Sequence, residues 1–370
     1  MRVPASMAAL RTLATLALAL AVGMPGAGAA QRAPAAHPGL ATEIVFLGTA
    51  GGPPLRLDRS EPSTLLIVDG REYLIDCGIG TIRRMLEAGI RSEQVGTIFL
   101  THLHADHDLG LADVMANDFV HEDLFGAAGP INIYGPPQTR ELVDAAFHFI
   151  TVGFRPFEAE TPSAYRIGNG QFVSPFVAHE FNRDGVIFRD DKISVTAAEN
   201  SHYALMPIQQ REALKSYSYR IETPHGVIVF TGDTGPSDAV ARLAKGADVL
   251  VAEASSRDVG DRDRFIDSMA ARNHWPPQRV QTFRAHFTTE HLDTDGIAAL
   301  ATKAQVKAVM LYHYDPLDKA DQAAYARGVK KHFSGSVFAP DDLDRYCMIA
   351  GVAGPCRDQP RRSHRQRTPA

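Results

Sequence analysis

Thr101-His102-Leu103-His104-Ala105-Asp106-His107-Asp108 sets three imidazoles and a carboxylate in an H-x-H-x-D-H pattern. The stretch follows Thr97-Ile98-Phe99-Leu100, an apolar segment that reads as a buried strand. Histidines at i and i+2 leaving a strand can converge on one metal ion. Asp106 and His107, one step further round the turn, point toward a second. Imidazole and carboxylate ligands together suit zinc, with manganese or iron less preferred. The alternative is a polar loop that happens to hold three histidines. Tight clustering argues against it, as do the ligand-type residues that follow later strands.

Working outward, apolar runs of strand length alternate with amphipathic runs of helix length. Ile44–Gly48, Ser63–Val68, Tyr73–Ile75 and Ile131–Tyr134 read as strands, with a turn at Asp69-Gly70. Thr81–Ala88 reads as a helix stopped by Gly89, and Thr139–Ile150 as one with Leu142, Ala145, Ala146 and Phe149 on its apolar face. In the second half Ile193–Ala197, Tyr217–Ile221, Val227–Phe230, Val249–Val251 and Ala308–Leu311 read as strands, and Asp238–Ala244 and Thr294–Ala304 as helices. Two β-rich halves with helices outside predict an α/β fold, a four-layer αββα sandwich forming a single catalytic domain over 41–350. The stretch 153–191 lacks a long period and reads as an insertion near the site.

Polar residues recur where these strands end: Glu199-Asn200-Ser201-His202, Thr231-Gly232-Asp233-Thr234, Ala252-Glu253-Ala254 and Tyr312-His313-Tyr314. Open α/β architectures collect functional groups at such edges.

With these motifs the chain resembles the metallo-β-lactamase-fold hydrolases over nearly all of 43–316. Phe46 to Gly52, Ile75-Asp76-Cys77-Gly78, Thr101 to Gly110, Phe230 to Thr234 and Leu311-Tyr312-His313 carry the likeness. It is nearest to the branch holding tRNase Z and the zinc arylsulfatases. The resemblance implies two zinc ions per chain, with manganese or iron as substitutes. His102, His104 and His202 would surround one; Asp106, His107 and His313 would surround the other; Asp233 would bridge them. Two such ions lower the pKa of a shared water and so supply a metal-bridged hydroxide at neutral pH. Asp106 would also orient the nucleophile. The resemblance further implies that His291 protonates the leaving oxygen and that Glu253 orients His291. A poor leaving group such as an alkoxide needs a general acid. The alternative is that His291 caps the helix from Thr294, and His286 is a rival for the acid.

Asp76 reads as the partner of a ligand histidine's second nitrogen. Gly48–Gly52 lacks the Lys-Ser/Thr ending of a phosphate loop and reads as a tight turn under the site. His121, His148, His179 and His274 have no motif support, and His225 reads as a turn residue in Pro224-His225-Gly226. Cys77 reads as a small buried hydrophobe. Cys347 and Cys356 are near enough in sequence for a disulfide, which sequence alone leaves open.

The ends speak to compartment. Arg2 and Arg11, the apolar run from Leu13 to Val22 and the small residues of 26–30 have the order of a signal peptide over 1–30. A linker over 31–40 would follow, and the product would be periplasmic or secreted, without a stable membrane anchor. Residues 357–370 form a basic tail that reads as disordered. Over 370 residues the net charge is −5, which gives no global attraction for nucleic acid. The expected function is therefore an exported dinuclear zinc hydrolase of a small-molecule ester, phosphodiester or sulfate ester, with no specific nucleic-acid partner. A homodimer is the assembly common in that branch. A β-lactamase or lactonase, and an iron-containing redox protein of the same fold, are the alternatives.

Overall fold

The computed structural model describes residues 41–125, 129–160, 167–168, 171–314 and 321–356. The expected signal peptide, linker and basic tail lie outside these residues.

The chain opens with β1 (Thr42–Gly48), β2 (Ser63–Val68) and β3 (Arg71–Ile75), an antiparallel meander. Asp69 and Gly70 join the last two, both in the left-handed region at φ 49° and 83°, as a two-residue hairpin turn requires. Helix α1 (Thr81–Glu87) leads to β4 (Val95–Phe99). Then come α2 (Ala105–Asp108), α3 (Leu111–Phe125), β5 (Ile131–Gly135) and α4 (Thr139–Glu160). A small hairpin, β6 (Ile167–Gly168) and β7 (Gln171–Phe172), precedes β8 (Phe176–Glu180).

The second half runs β9 (Gly185–Arg189), β10 (Ser194–Glu199), α5 (Ile208–Arg211), β11 (Tyr217–Thr223) and β12 (Gly226–Phe230). It continues through α6 (Asp238–Leu243), β13 (Val249–Ala254), α7 (Val259–Asn273), α8 (Pro277–Thr289), α9 (Thr294–Ala304) and β14 (Ala308–Tyr314). It closes with α10 (Gln322–Lys330), β15 (Ser336–Phe338), β16 (Arg345–Ile349) and β17 (Val352–Pro355).

Among the described residues two large sheets face each other, in strand orders β17-β16-β1-β2-β3-β4-β5-β8 and β15-β14-β13-β12-β11-β10-β9. Their strands alternate apolar side chains to both faces. Ile44 and Phe46 enter the core between the sheets, while Val45 and Leu47 enter the core beneath the helices. Strands buried on both sides therefore read as continuous apolar runs. Phe46, Tyr73 and Phe99 meet Tyr217, Tyr219 and Phe230 across the middle. Cutting one of these phenylalanines to alanine costs about 3–5 kcal/mol in cores of this kind. Helices α1, α3 and α4 cover the first sheet, and α6, α9 and α10 the second. This is the αββα sandwich the sequence predicts.

The structure corrects two local readings. Helix α4 runs to Glu160, and its buried face carries Val143, Ile150 and Thr151, whereas Phe149 is 73% exposed. Leu142 and Ala146 of the expected face do pack against the core, partly buried, so that face is turned rather than absent, with Val143 and Ile150 at its centre. The stretch 153–191 is not an irregular insertion. It holds the end of α4 together with β8 and β9, which form one edge of each sheet. Edge strands are half exposed and lack the apolar run of a central strand. Helices α7 and α8, in a stretch the sequence reading left unassigned, bury little: α7 buries Ile266, and α8 has no buried residue, Phe287 packing on Phe265.

Cys347 and Cys356 form a disulfide with Cα atoms 5.0 Å apart, across the β16–β17 hairpin. Cys77 is buried.

Candidate metal centre

Strands β3 and β4 run parallel in the first sheet, as do β12, β13 and β14 in the second. At their C-terminal ends the chain leaves the ladders, so side chains there are not committed to the core. Asp76 follows β3, the 101–108 stretch follows β4, and Asp233 follows β12. Glu253 and His313 sit near the ends of β13 and β14, inside the strands rather than beyond them. His202 comes from the loop after β10.

These residues gather in two adjoining groups. His102, His104 and His202 form one; Asp106, His107, Asp233 and His313 form the other; within each, one ligand atom per residue lies within 4.8 Å of the rest. Asp233 stands between them. Its Oδ2 is 3.9 Å from His102 Nε2 and 3.8 Å from His202 Nε2. The same carboxylate lies 3.4 Å from His107 Nε2 and 3.1 Å from His313 Nε2. His313 Nε2 is also 3.3 Å from Asp106 Oδ2.

The donor set fits divalent metal. His102 Nε2, His107 Nε2, His313 Nε2 and Asp233 Oδ1 are buried without a hydrogen-bond partner. Buried polar atoms are rarely left so, and an ion is a sufficient reason. The second nitrogens are occupied in a way that aims the first ones inward. His107 Nδ1 donates to Asp76 Oδ2 at 2.9 Å, and His202 Nδ1 donates to the Glu290 carbonyl at 3.1 Å. His102 Nδ1 meets Thr101 Oγ1 at 3.1 Å. A neutral imidazole with its Nδ1 engaged presents its Nε2 lone pair.

Electrostatics separate the two groups. Burial holds His102 and His202 well below the usual histidine range, which keeps them neutral. Burial also opposes charge on His107 and His313. There the carboxylate of Asp233 prevails, joined by Asp76 at His107 and by Asp106 at both, and the rings titrate well above the ordinary value. Asp106 is held low: burial pushes it up, but His107 and His313 beside it outweigh that. In the second group the carboxylates thus call for positive charge beside them, which a divalent ion would supply in place of ring protons.

Backbone geometry supports the same place. Gly52 N–H donates to Asp106 Oδ2 at 2.9 Å, and a Cβ on Gly51 would overlap the His313 ring. The Gly48–Gly52 segment is therefore the tight turn under the site that the sequence suggests.

His291 adjoins this cluster, one of its nitrogens lying within 4.8 Å of ligand atoms of His202 and Asp233. Its Nδ1 meets Glu253 Oε2 at 2.7 Å. Burial pushes His291 down to about 3 and pushes Glu253 well up, with Asp233 adding to the rise. The pair therefore keeps a proton in the Nδ1···Oε2 bond. The cap of α9 is instead Asp293, whose carboxylate accepts from Gly296 N–H at 2.8 Å.

In comparison with known proteins, residues 71–314 match the family model of the beta-lactamase superfamily domain. The chain belongs to the beta-lactamase superfamily. Within it, the chain is 30% identical over 316 residues to a ribonuclease Z of Mycolicibacterium gilvum, covering 84% of this chain and 97% of that protein. A ribonuclease Z of Mycobacterium marinum is 29% identical over 307 residues, with 82% and 97% covered. Two solved structures share the fold. The metallo-β-lactamase fold protein YhfI of Bacillus subtilis has a TM-score of 0.58 at 16% identity, over 83% of this chain and 99% of that one. The short form of human tRNase Z has a TM-score of 0.53 at 19% identity, over 82% and 98%. The chain is a metallo-hydrolase of this superfamily near its tRNase Z branch.

One expectation is overturned. A small-molecule ester and no specific nucleic acid were inferred from the acidic net charge and the export signal. The relatives matched over nearly their whole length are ribonucleases by name. Whole-chain charge averages over a surface, whereas phosphate is gripped by a few local groups.

Sequence reasoning also passed over three neighbours. Thr101 binds Asp76 through its backbone N–H at 2.8 Å and its hydroxyl at 2.9 Å. Tyr203 lies against His104 and His202, with ring centroids 5.3 Å and 5.1 Å away. Glu290 takes His202 Nδ1 on its carbonyl and Leu205 N–H on its carboxylate. Adjacency to His102, His202 and His291 in the chain is the one signal that would have found them. The unassigned histidines stay apart: His121 pairs with Glu93, His179 with Asn132 and His225 with Asp69.

Proposed function

We propose that the chain is an exported, dinuclear zinc phosphodiesterase that cleaves RNA. The observation that carries the reading is the Glu253–His291 pair, 2.7 Å apart, beside a seven-residue ligand cluster. Hydrolysis of an RNA phosphodiester expels a ribose alkoxide, which leaves readily only as it is protonated. Opening a strained lactam or lactone makes less use of such a pair. The names of the relatives support RNA as the substrate class.

His102, His104, Asp106, His107, His202, Asp233 and His313 would hold the ions. Divalent ions bound there supply Lewis acidity toward phosphoryl oxygens and an acidified water. Asp106 faces both His313 and the Gly52 amide and holds the direction of attack. His291 gives the proton on its Nε2 to the leaving oxygen while the proton shared with Glu253 moves onto Nδ1. Burial around His291 keeps that proton from being lost to water. Export rests on the order of charged, apolar and small residues over 1–30.

The test uses zinc-loaded protein beginning at Gln31, with tRNA-containing transcripts, unstructured RNA, bis-p-nitrophenyl phosphate, an aryl sulfate, a β-lactam and a lactone. RNA cleavage that falls about 10²–10⁴-fold in His291→Ala is expected. Turnover of the sulfate, lactam or lactone with no RNA cleavage would overturn the reading. Recovery of the full chain from the periplasm or medium, lost on deleting 1–30, tests export.

A further inference from the structure

Helix α8 delivers a second imidazole to the general acid. His286 Nε2 lies 3.2 Å from His291 Nε2, and His286 Nδ1 lies 2.6 Å from Glu290 Oε2. Glu290 Oε1 already accepts from Leu205 N–H at 2.7 Å, so this carboxylate acts as an acceptor on both oxygens. His286 therefore donates through Nδ1–H and leaves Nε2 with a bare lone pair. Two N–H groups cannot face each other at 3.2 Å, and neither can two lone pairs. The proton between the rings accordingly sits on His291 Nε2. Glu253, His291, His286 and Glu290 thus form one row, with a proton in each of three gaps.

The two Nε2 atoms face each other at 3.2 Å, with His291 the donor and His286 the acceptor. His286 is the more accessible of the two, its side chain 32% exposed against 7% for His291. An oxygen that enters beside His202 and Asp233 and takes the His291 Nε2–H leaves the His286 Nε2 lone pair without its donor. The ester oxygen of the intact substrate has no proton to give, so His286 gains nothing from it. Once His291 has transferred its proton, the departing oxygen is a hydroxyl and can donate to His286.

We propose that His286 is the acceptor for the newly protonated leaving group, so that His291 and His286 straddle the departing oxygen. The proposal rests on the general-acid reading of His291. The P–O bond breaks with its electron pair going to oxygen. The His291 Nε2 proton goes to that oxygen, and the new O–H donates to His286 Nε2. Water supplies the oxygen of the new P–O bond, one of its protons leaving with the phosphate product, and the proton shared with Glu253 moves onto His291 Nδ1; no further reactant is needed. The interaction exists late in the reaction and not in the bound substrate, so it lowers the barrier rather than tightening binding.

The test is leaving-group dependence in the zinc-loaded full-length chain. His286→Leu and His286→Gln are compared with wild type on an RNA oligonucleotide and on bis-p-nitrophenyl phosphate, whose phenolate departs without a proton. His286→Leu should lose about tenfold in kcat on RNA, the worth of one hydrogen bond, with KM unchanged. It should keep its rate on the aryl ester. His286→Gln, which retains an acceptor oxygen, should recover part of the loss. Melting temperature and zinc content report whether each variant is folded and loaded; if His286→Leu is not, His286→Phe, which also lacks an acceptor, carries the same comparison. An equal loss on both substrates, or none on either, overturns the proposal. His291→Ala separates the layers. If it also fails to discriminate between leaving groups, the general-acid reading falls and this proposal with it. If it discriminates and the His286 variants do not, this proposal alone falls.

Discussion

Asp76 accepts the Nδ1–H of His107 at 2.9 Å and at the same time binds the backbone amide and hydroxyl of Thr101. Asp76 sits in the left-handed region at φ 57°, immediately after β3, and so turns its carboxylate back across the end of β4. Three donors fix that carboxylate, and it fixes the His107 ring with Nε2 aimed at Asp106 and Asp233.

Asp76→Ala should therefore weaken metal binding without removing a ligand. Losing a carboxylate that orients a ligand histidine costs about 10–100-fold in metal affinity. Thr101→Val, which removes one of the three donors, should cost less. Competition against a chromophoric chelator measures both. Wild-type affinity in Asp76→Ala would show that the neighbouring carboxylates alone hold His107 in place.

Most of the candidate centre was legible because its ligand-type residues, which the fold brings together, sit where apolar strand patterns stop, at 101–108, 202, 233 and 313. Such positions are readable one strand at a time. What was not legible depends on which stripe of a helix meets the sheet and on elements without a buried face. In α4 both Phe149 and Ile150 are apolar, and only the sheet beneath decides that Ile150 turns inward. His286 is legible as a rival for the acid, but α8 has no buried residue, so its pattern does not show that His286 would face His291 Nε2. Glu290 likewise acts partly through its carbonyl, a group every residue has.

Gly235 is a second lever on the acid. A Cβ there would overlap the Thr289 carbonyl, directly ahead of Glu290 and His291. Gly235→Ala must push the end of α8 away, carrying with it the carbonyl that holds His202 and the ring of His291. Overpacking of this kind typically costs about 1–3 kcal/mol of stability. RNA cleavage should fall by more than the change in zinc content explains. Gly153→Ala is the contrast: a Cβ there meets nothing within 4 Å, and α4 should gain up to about 1 kcal/mol. Denaturant melts with metal analysis separate these outcomes, and an active, fully loaded Gly235→Ala would refute the steric argument.

Metal removal should lower stability as well as activity. The native state gathers seven ligand-type residues at one place and the unfolded chain does not, so a divalent ion held there would stabilise by mass action. At free zinc a hundredfold above its dissociation constant, this amounts to about 2.7 kcal/mol. Thermal unfolding with and without a chelator, followed by zinc add-back, measures the effect. A melting temperature insensitive to the chelator, in protein shown by elemental analysis to have lost its zinc, would mean the protein scaffold alone preforms the cluster.

Glu72 offers a pH signature far from the metal chemistry. Its carboxyl lies buried in β3, with Oε2 lacking a hydrogen-bond partner. Burial raises its pKa from 4.5 to about 7, with Glu93 adding to the rise and Arg345 opposing it. A carboxyl whose folded value exceeds its unfolded value favours the fold when protonated. That contribution is fully present below pH 4.5 and is lost as pH rises through 7, because the unfolded chain releases its proton first. Glu72→Gln keeps the shape of the protonated side chain and removes the ionisation. The variant should match wild type near pH 4.5 and exceed it by roughly 1–3 kcal/mol at pH 8. Denaturant unfolding at several pH values reads this directly. Parallel curves for the two proteins between pH 5 and 8 would mean that Glu72 finds a partner for its charge on the native surface.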